Sequence, residues 1–354
     1  MGTNKDILFE TKDRCGLVTL NRPKALNAIS YDMIAGMEEN YIEWAGDPDI
    51  YGIVLKSSDR RAFCSGGDLK ALYAWWRAGE VSAILDQYTI EYQHNWTLDR
   101  FIKPHVSLMD GYVFGGGAGI SLYGTHKVAG ENYRFAMPEA AIGFFPDVGA
   151  THFLTRMPGQ IGLYLALTGA QIRRADAYEL GLLTHCIDAG EFDNIEKSMS
   201  EADPIDPVLD SAHIDPGPSA LLEMQATIDR YFSGPSVEDI LGSLNEATGE
   251  DTAWAKETVA LMEKSSPLSL KVAFHQLRKC GQPTLEAALE LDACLAHHFL
   301  TGDEVFEGIR SLLIDKDGAP KWHHSTLADV NDDMVEAMFE PPASGAFKPS
   351  NPFA

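Results

Sequence analysis

Apolar positions fall into two patterns along the chain. Between about residues 5 and 190, short apolar runs alternate with stretches of helical spacing. Leu17-Val18-Thr19-Leu20, Gly52-Ile53-Val54-Leu55 and His105-Val106-Ser107-Leu108 are short, largely apolar and flanked by turn residues. That pattern predicts buried strands. Met33, Ile34, Met37, Tyr41 and Trp44 recur on one helical face behind Ser30, which predicts a helix with Ser30 as its N-cap. Asp68 predicts the start of another, through Leu69, Leu72 and Trp75. Strands alternating with helices of this length predict an α/β architecture.

Beyond about residue 218 the pattern becomes helical: Leu221, Leu222, Met224 and Ile228, then Val259, Leu261 and Met262, then Leu268, Val272, His275 and Leu277. Between the two regions, Pro204, Pro207, Pro216 and Pro218 interrupt the chain and read as a linker. The expected organisation is an α/β core over residues 1–200 that carries the site, a proline-rich linker over 201–217, and a helical region over 218–354. No tandem repeat or low-complexity tract is present.

Composition narrows the function. With 45% hydrophobic and 23% charged residues, the chain can bury a core without disulfide or metal staples. Asp and Glu outnumber Lys and Arg 52 to 28, for a net charge of −24. This balance argues against nucleic-acid binding, which rests on cations neutralising phosphates. A single cationic pocket for an anionic small molecule stays compatible with it. The five cysteines are scattered and form no CxxC, so neither a disulfide framework nor a zinc site is expected, and a cytoplasmic setting is. The first residues lack the apolar stretch of a signal peptide, and Asp6 breaks the myristoylation pattern. The terminal Asn-Pro-Phe-Ala is not a peroxisomal signal, and no apolar run is long enough to cross a membrane.

Several motifs fail on single positions. A dinucleotide loop starting at Gly115 needs glycine where Ile120 stands, and one starting at Gly117 needs it where Leu122 stands. A phosphate loop over Gly119 and Gly124 has Thr125-His126 in place of Lys-Ser/Thr. Neither HExxH nor GxSxG occurs. The pairs His297-His298 and His323-His324 lack ligand spacing, so no metal is expected. Cys64 has no recognisable catalytic partner and reads as a small residue at a strand end.

Two glycine turns remain: Ala62-Phe63-Cys64-Ser65-Gly66-Gly67-Asp68 and Gly111-Tyr112-Val113-Phe114-Gly115-Gly116-Gly117. Each lies just ahead of a predicted helix, whose first N–H groups are unpaired. Two such ends facing one point would offer two donors to a developing oxyanion; two structural turns are the plain alternative.

Together with Asn21-Arg22-Pro23-Lys24-Ala25-Leu26-Asn27-Ala28, these segments resemble the three signature segments of the crotonase (enoyl-CoA hydratase/isomerase) superfamily. The resemblance continues through Leu167-Thr168-Gly169, Ala175-Asp176-Ala177-Tyr178 and Gly181-Leu182-Leu183. It implies an α/β crotonase (ClpP-like) spiral of ββα turns with an α-helical C-terminal region. It also implies an acyl-CoA substrate, no cofactor beyond the coenzyme A of that substrate, and a homo-oligomer, trimer or hexamer. Where hydratases of the superfamily carry one of two catalytic glutamates, this chain has Gly119; the other acid aligns with Glu139. Ala136-Met137-Pro138-Glu139 with Gly143-Phe144-Phe145-Pro146-Asp147-Val148-Gly149, the pair Glu91-Tyr92, and Phe306-Glu307-Gly308-Ile309-Arg310 are similar to the branch that hydrolyses 3-hydroxyisobutyryl-CoA in valine breakdown.

The resemblance assigns catalysis to Glu139 and Asp147, and the oxyanion donors to the backbone N–H groups of Gly67 and Gly116. It places Glu91, Gly66, Leu26, Lys24 and Asp68 at the substrate, with Glu91 holding its hydroxyl or supporting the acid pair. Lys24 and Lys70 are candidates for the CoA phosphates. Each residue also has an ordinary reading. Glu139 suits a helix first turn, Asp147 an N-cap, Glu91 a solvated helix face, and the lysines a surface.

Overall fold

The computed structural model describes residues 5–343 and 345–353. Its strands are β1 (Ile7–Lys12), β2 (Cys15–Leu20), β3 (Gly52–Ser57), β4 (Ala62–Cys64), β5 (His105–Met109), β6 (Tyr112–Phe114), β7 (His126–Ala129), β8 (Arg134–Ala136), β9 (Ile172–Arg173) and β10 (His185–Cys186). They form a six-stranded sheet of order β1-β2-β3-β5-β7-β10 and a four-stranded sheet of order β4-β6-β8-β9. All neighbours run parallel except the pairs β1–β2 and β8–β9.

The helices that position the site are α1 (Tyr31–Gly46), α2 (Leu69–Ala78), α3 (Val81–Arg100), α4 (Gly116–Gly119) and α5 (Ala150–Leu154). The chain repeats one move. It lays a strand in the large sheet, crosses to the small sheet, and then turns into helix: β3-β4-α2, β5-β6-α4, and β7-β8 followed by a 3-10 turn at Glu139–Ile142. These are the stacked ββα turns that the resemblance implies. All five residues of β5 are buried, as expected where both faces of a parallel sheet are covered. The three runs read as strands lie within β2, β3 and β5.

Local signals account for the helix starts. Ser30 Oγ accepts from Met33 N–H at 3.4 Å, and α1 buries Met33, Ile34, Met37, Tyr41 and Trp44 as its periodicity predicts. Asp68 caps α2, accepting from Ala71 N–H at 3.2 Å.

The proline-rich stretch is not free of regular structure. Residues Ile205–Ala212 form a helix with Pro204 at its N-cap and Pro207 in its first turn. A first-turn N–H has no intrahelical acceptor, so proline loses nothing there. Ile205 and Leu209 bury against Leu17, Val54 and Val106, and Asp206 and Asp210 bond His126 and His185 at 3.1 and 3.2 Å.

From residue 218 onward the described residues carry helices and no strand. The helix Leu285–Thr301 packs along α3, and Pro267–Lys279 packs on the Glu139–Ile142 turn. The chain then runs back along α3. Ser350 N–H donates to Gln93 Oε1 at 2.9 Å, and the Phe347 ring meets Tyr92 edge-on at 6.5 Å. The sequence readings of the first four residues and of Ala354 fall outside the described residues. No described helix is long and apolar enough to cross a membrane.

Candidate active site

The two glycine turns meet. A Cβ built on Gly66 would stand 3.9 Å from Gly116 N, and one on Gly115 would stand 4.0 Å from Gly66 Cα. Gly66 (φ +101°) and Gly115 (φ +47°) both hold backbone that side chains disfavour. Gly67 forms an isolated parallel bridge with Ile29, in which Ile29 N–H donates to Gly66 O and Asp68 N–H donates to Ile29 O. That pattern uses the residues flanking Gly67 and turns its own N–H to the other side. Gly116 opens α4, so its N–H has no intrahelical acceptor. Among the described residues neither N–H donates a backbone hydrogen bond.

The glycines of the second turn each make room for a different neighbour. A Cβ on Gly115 would collide with Glu139 Oε1, and one on Gly116 with Glu91 Oε1. A Cβ on Gly117 would stand 2.8 Å from Cys64 O. Glu139 and Glu91 therefore reach the second glycine turn itself. Glu139 is the first residue of its 3-10 turn, where a carboxylate is favourable, but its side chain is 8% exposed and its Oε2 has no partner among the described residues. Glu91 is 3% exposed on the inner face of α3, not on a solvated one. Asp147, 5% exposed, does not cap α5, whose N-cap is Gly149; it accepts from Tyr92 Oη–H at 2.9 Å.

These carboxyls titrate far from their ordinary ranges. Burial, then the charge of Asp147, pushes Glu91 up to about 8. Burial pushes Asp147 up to about 7 against the Tyr92 hydrogen bond, which lowers it. Glu139 is held well above the usual carboxylate range by burial, then by Asp147 and Glu91. Like charges in one dry site cannot all ionise together, so protons are shared there near neutral pH. Such a cluster can exchange protons with a reacting group, and the two free N–H groups can receive a negative oxygen.

The remaining sequence candidates lie on the loop that braces the first turn. Leu26 (φ +50°) accepts Ser65 N–H at 3.0 Å through its carbonyl, and Lys24 is exposed on the same turn. Asp68 spends its carboxylate on Ala71 N–H and on an ion pair with Arg22 at 2.9 Å. Lys70 is exposed at the start of α2. Cys64 is buried with its thiol pushed up to about 12 by burial, and it packs against Gly117, as its small-residue reading holds. No cluster of metal-ligating side chains occurs among the described residues.

Sequence reasoning named Tyr92 only as part of the Glu91-Tyr92 pair, with no role as the donor to Asp147, and did not single out Asn95. Both stand on α3 with Tyr88 and Glu91, at helical steps that line one face. That spacing was the available signal. A Cβ on Gly119 would meet Asn95 Nδ2 at 2.8 Å and Val148 Cβ at 2.9 Å. The place of the second hydratase acid is therefore filled.

A sequence profile of the enoyl-CoA hydratase/isomerase family matches residues 15–339. The chain is 36% identical over 346 residues to the mitochondrial 3-hydroxyisobutyryl-CoA hydrolase of Danio rerio, spanning 94% of this chain and 89% of that one. It is 36% identical over 351 residues to 3-hydroxyisobutyryl-CoA hydrolase 1 of Arabidopsis thaliana, spanning 96% and 93%. The crystal structure of an enoyl-CoA hydratase from Rhodobacter sphaeroides superposes with a TM-score of 0.91 at 33% identity, covering 97% of this chain and 99% of that one.

Proposed function

The chain belongs to the enoyl-CoA hydratase/isomerase family, and from that premise we propose that it hydrolyses 3-hydroxyisobutyryl-CoA to 3-hydroxyisobutyrate and CoA. The observation that carries the reading is the buried Glu139 carboxyl, held against the glycine turn with one oxygen unpaired. The thioester carbonyl oxygen receives the N–H groups of Gly67 and Gly116 as it gains charge; losing one such donor typically costs ~10²–10³ in rate. Glu139 then acts in one of two ways. As nucleophile it bonds the carbonyl carbon, CoA leaves as thiolate, and water cleaves the resulting acyl-glutamyl anhydride. As base it takes a proton from the water that attacks instead. With Glu139 ionised, Asp147 carries the proton that the buried acids share and gives it to the leaving thiolate. Glu91 accepts from the substrate's hydroxyl, and so selects hydroxyacyl over plain acyl groups. A single turnover in ¹⁸O-water tests the anhydride route: label in Glu139 requires an anhydride opened at the glutamyl carbonyl, whereas label confined to the product fits the base route or opening at the acyl carbonyl.

Hydration is the second reading, since the Rhodobacter sphaeroides neighbour is an enoyl-CoA hydratase. Gly119 supplies no acid, and Asn95 and Val148 leave no space for one, which favours hydrolysis. A silent CoA-thioester-binding protein would have no use for three buried carboxyls of raised pKa. The reading extends to a cytoplasmic setting in valine breakdown, supported by five unpaired cysteines, and to a trimer or hexamer, which light scattering tests.

Thiol release from a panel of acyl-CoA esters, trapped with a chromogenic disulfide, tests the whole. Turnover of 3-hydroxyisobutyryl-CoA is expected without added metal or nicotinamide and in the presence of EDTA. No release from any hydroxyacyl-CoA, or hydration of crotonyl-CoA at a rival rate, overturns the reading.

A further inference from the structure

Asp147 stands in a turn whose backbone is unfavourable. The next residue, Val148, is β-branched and lies at φ +51°, and Gly149 follows at φ +77°. A β-branched residue in the left-handed region is a genuine outlier, and such strain persists only where the surroundings over-determine it. Three groups do so here. Gly149 N–H donates to Asp292 Oδ2 at 2.6 Å, Tyr123 Oη–H donates to Val148 O at 2.6 Å, and Gln276 Nε2 donates to Pro146 O at 3.2 Å.

Asp292 is the unexpected member. It lies on the helix Leu285–Thr301 and is fully buried, with Gln276 Nε2 at 3.4 Å from its other oxygen. Burial and the charge of Asp147 hold its carboxyl well above the ordinary range. A buried carboxyl with no cation in contact is costly, and an apolar residue of similar size would cost less. What Asp292 does that such a residue cannot is accept Gly149 N–H.

We propose that Asp292 and Tyr123 are positioning residues for Asp147. Each fixes one side of the Val148–Gly149 link, and together they hold the left-handed turn that aims Asp147 at Tyr92. The proposal rests on the reading that Asp147 takes part in hydrolysis. It makes the helical region part of the catalytic apparatus, although it contributes no group to the reacting atoms.

The test uses thiol release by the full chain carrying Asp292→Leu, Asp292→Asn or Tyr123→Phe, each alone and combined with Asp147→Asn. Asp292→Leu is expected to lower kcat ~30-fold with KM changed less than about twofold, the scale at which misplacing a catalytic group is felt. Asp292→Asn keeps an acceptor oxygen for Gly149 and is expected within about threefold of wild type. Tyr123→Phe removes one hydroxyl and is expected to cost ~5-fold in kcat. In the Asp147→Asn background each change is expected to cost less than about twofold more, because residues acting through one group are not additive. Wild-type kcat in Asp292→Leu, or full multiplication of the losses in the Asp147→Asn background, overturns the proposal. Should Asp292→Leu not fold, Tyr123→Phe with its double mutant decides by the same two criteria. Failure of the underlying reading looks different: wild-type protein without thiol release, or Asp147→Asn alone at wild-type rate.

Discussion

Tyr92 donates its phenolic hydrogen bond to Asp147 Oδ2 at 2.9 Å, joining α3 to the turn that follows the Glu139 segment. One helix thus delivers Glu91 to the glycine turn and, one residue later, the hydroxyl that fixes Asp147. The site's three carboxyls are arranged by α3 and two short loops, and their chemistry can be separated by substitution.

Glu139→Gln keeps shape and removes charge and nucleophilicity. Its kcat is expected to fall at least ~10³-fold with KM little changed, and Asp147→Asn to fall at least ~10²-fold. The double mutant is expected to be little worse than Glu139→Gln. Melting temperatures should not drop, since each amide replaces an acid whose charge the fold disfavours. Near-normal turnover in Glu139→Gln removes the centre of the reading.

Stability should depend on pH through the same groups. A carboxyl whose pKa is higher folded than unfolded favours the fold while protonated in both states, and loses that contribution as pH rises through its folded value. For Asp147 the window runs from 3.8 to about 7, and for Glu91 from 4.5 to about 8. Wild-type melting temperature is therefore expected to fall more steeply than that of Asp147→Asn or Glu91→Gln between about pH 4 and 8, the curves converging at the acid end. Parallel curves in scanning fluorimetry would show that these carboxyls titrate normally.

The glycine turns proposed to hold the oxyanion can be probed by adding one methyl. Gly67 has open space where a Cβ would go, so Gly67→Ala should fold with an unchanged melting temperature. That open space is where the thioester is proposed to sit, so kcat/KM is expected to fall at least ~10-fold. Unchanged kinetics would place the carbonyl elsewhere. Gly116→Ala, which collides with Glu91, should lose both stability and activity.

Restoring the missing hydratase acid should not restore hydration. In Gly119→Glu the first side-chain carbon already meets Asn95 and Val148, so the turn carrying Asp147 must move. Hydrolysis is expected to fall by ~10² or more, the usual cost of misplacing an acid–base group, with no gain on crotonyl-CoA. Hydration by this variant would show that the site is more plastic than its packing implies.

What could be read beforehand was local. Ser30 and Asp68 cap their helices because capping is decided within four residues, and the short apolar runs of β2, β3 and β5 report burial directly. The glycine turns and the acids Glu139 and Asp147 were legible as patterned segments. The Ile205–Ala212 helix was not, because proline breaks an interior but suits a first turn, and the pattern does not say where a helix begins. Tyr123, Asn95 and Asp292 were not, because their meaning lies in partners from other elements. Nothing in the spacing of Asp292 announces Gly149.

Gly149 and Asp292 lie 143 residues apart in the chain. Closing so large a loop costs entropy before the contact repays it, and long-range pairings of this kind slow folding. On the proposal that Asp292 holds the Asp147 turn, that turn is expected to acquire its final shape only after the Leu285–Thr301 helix has docked on α3. During refolding from denaturant, far-ultraviolet dichroism should return first and thiol release last, leaving an interval in which the spiral is present and catalytically incompetent.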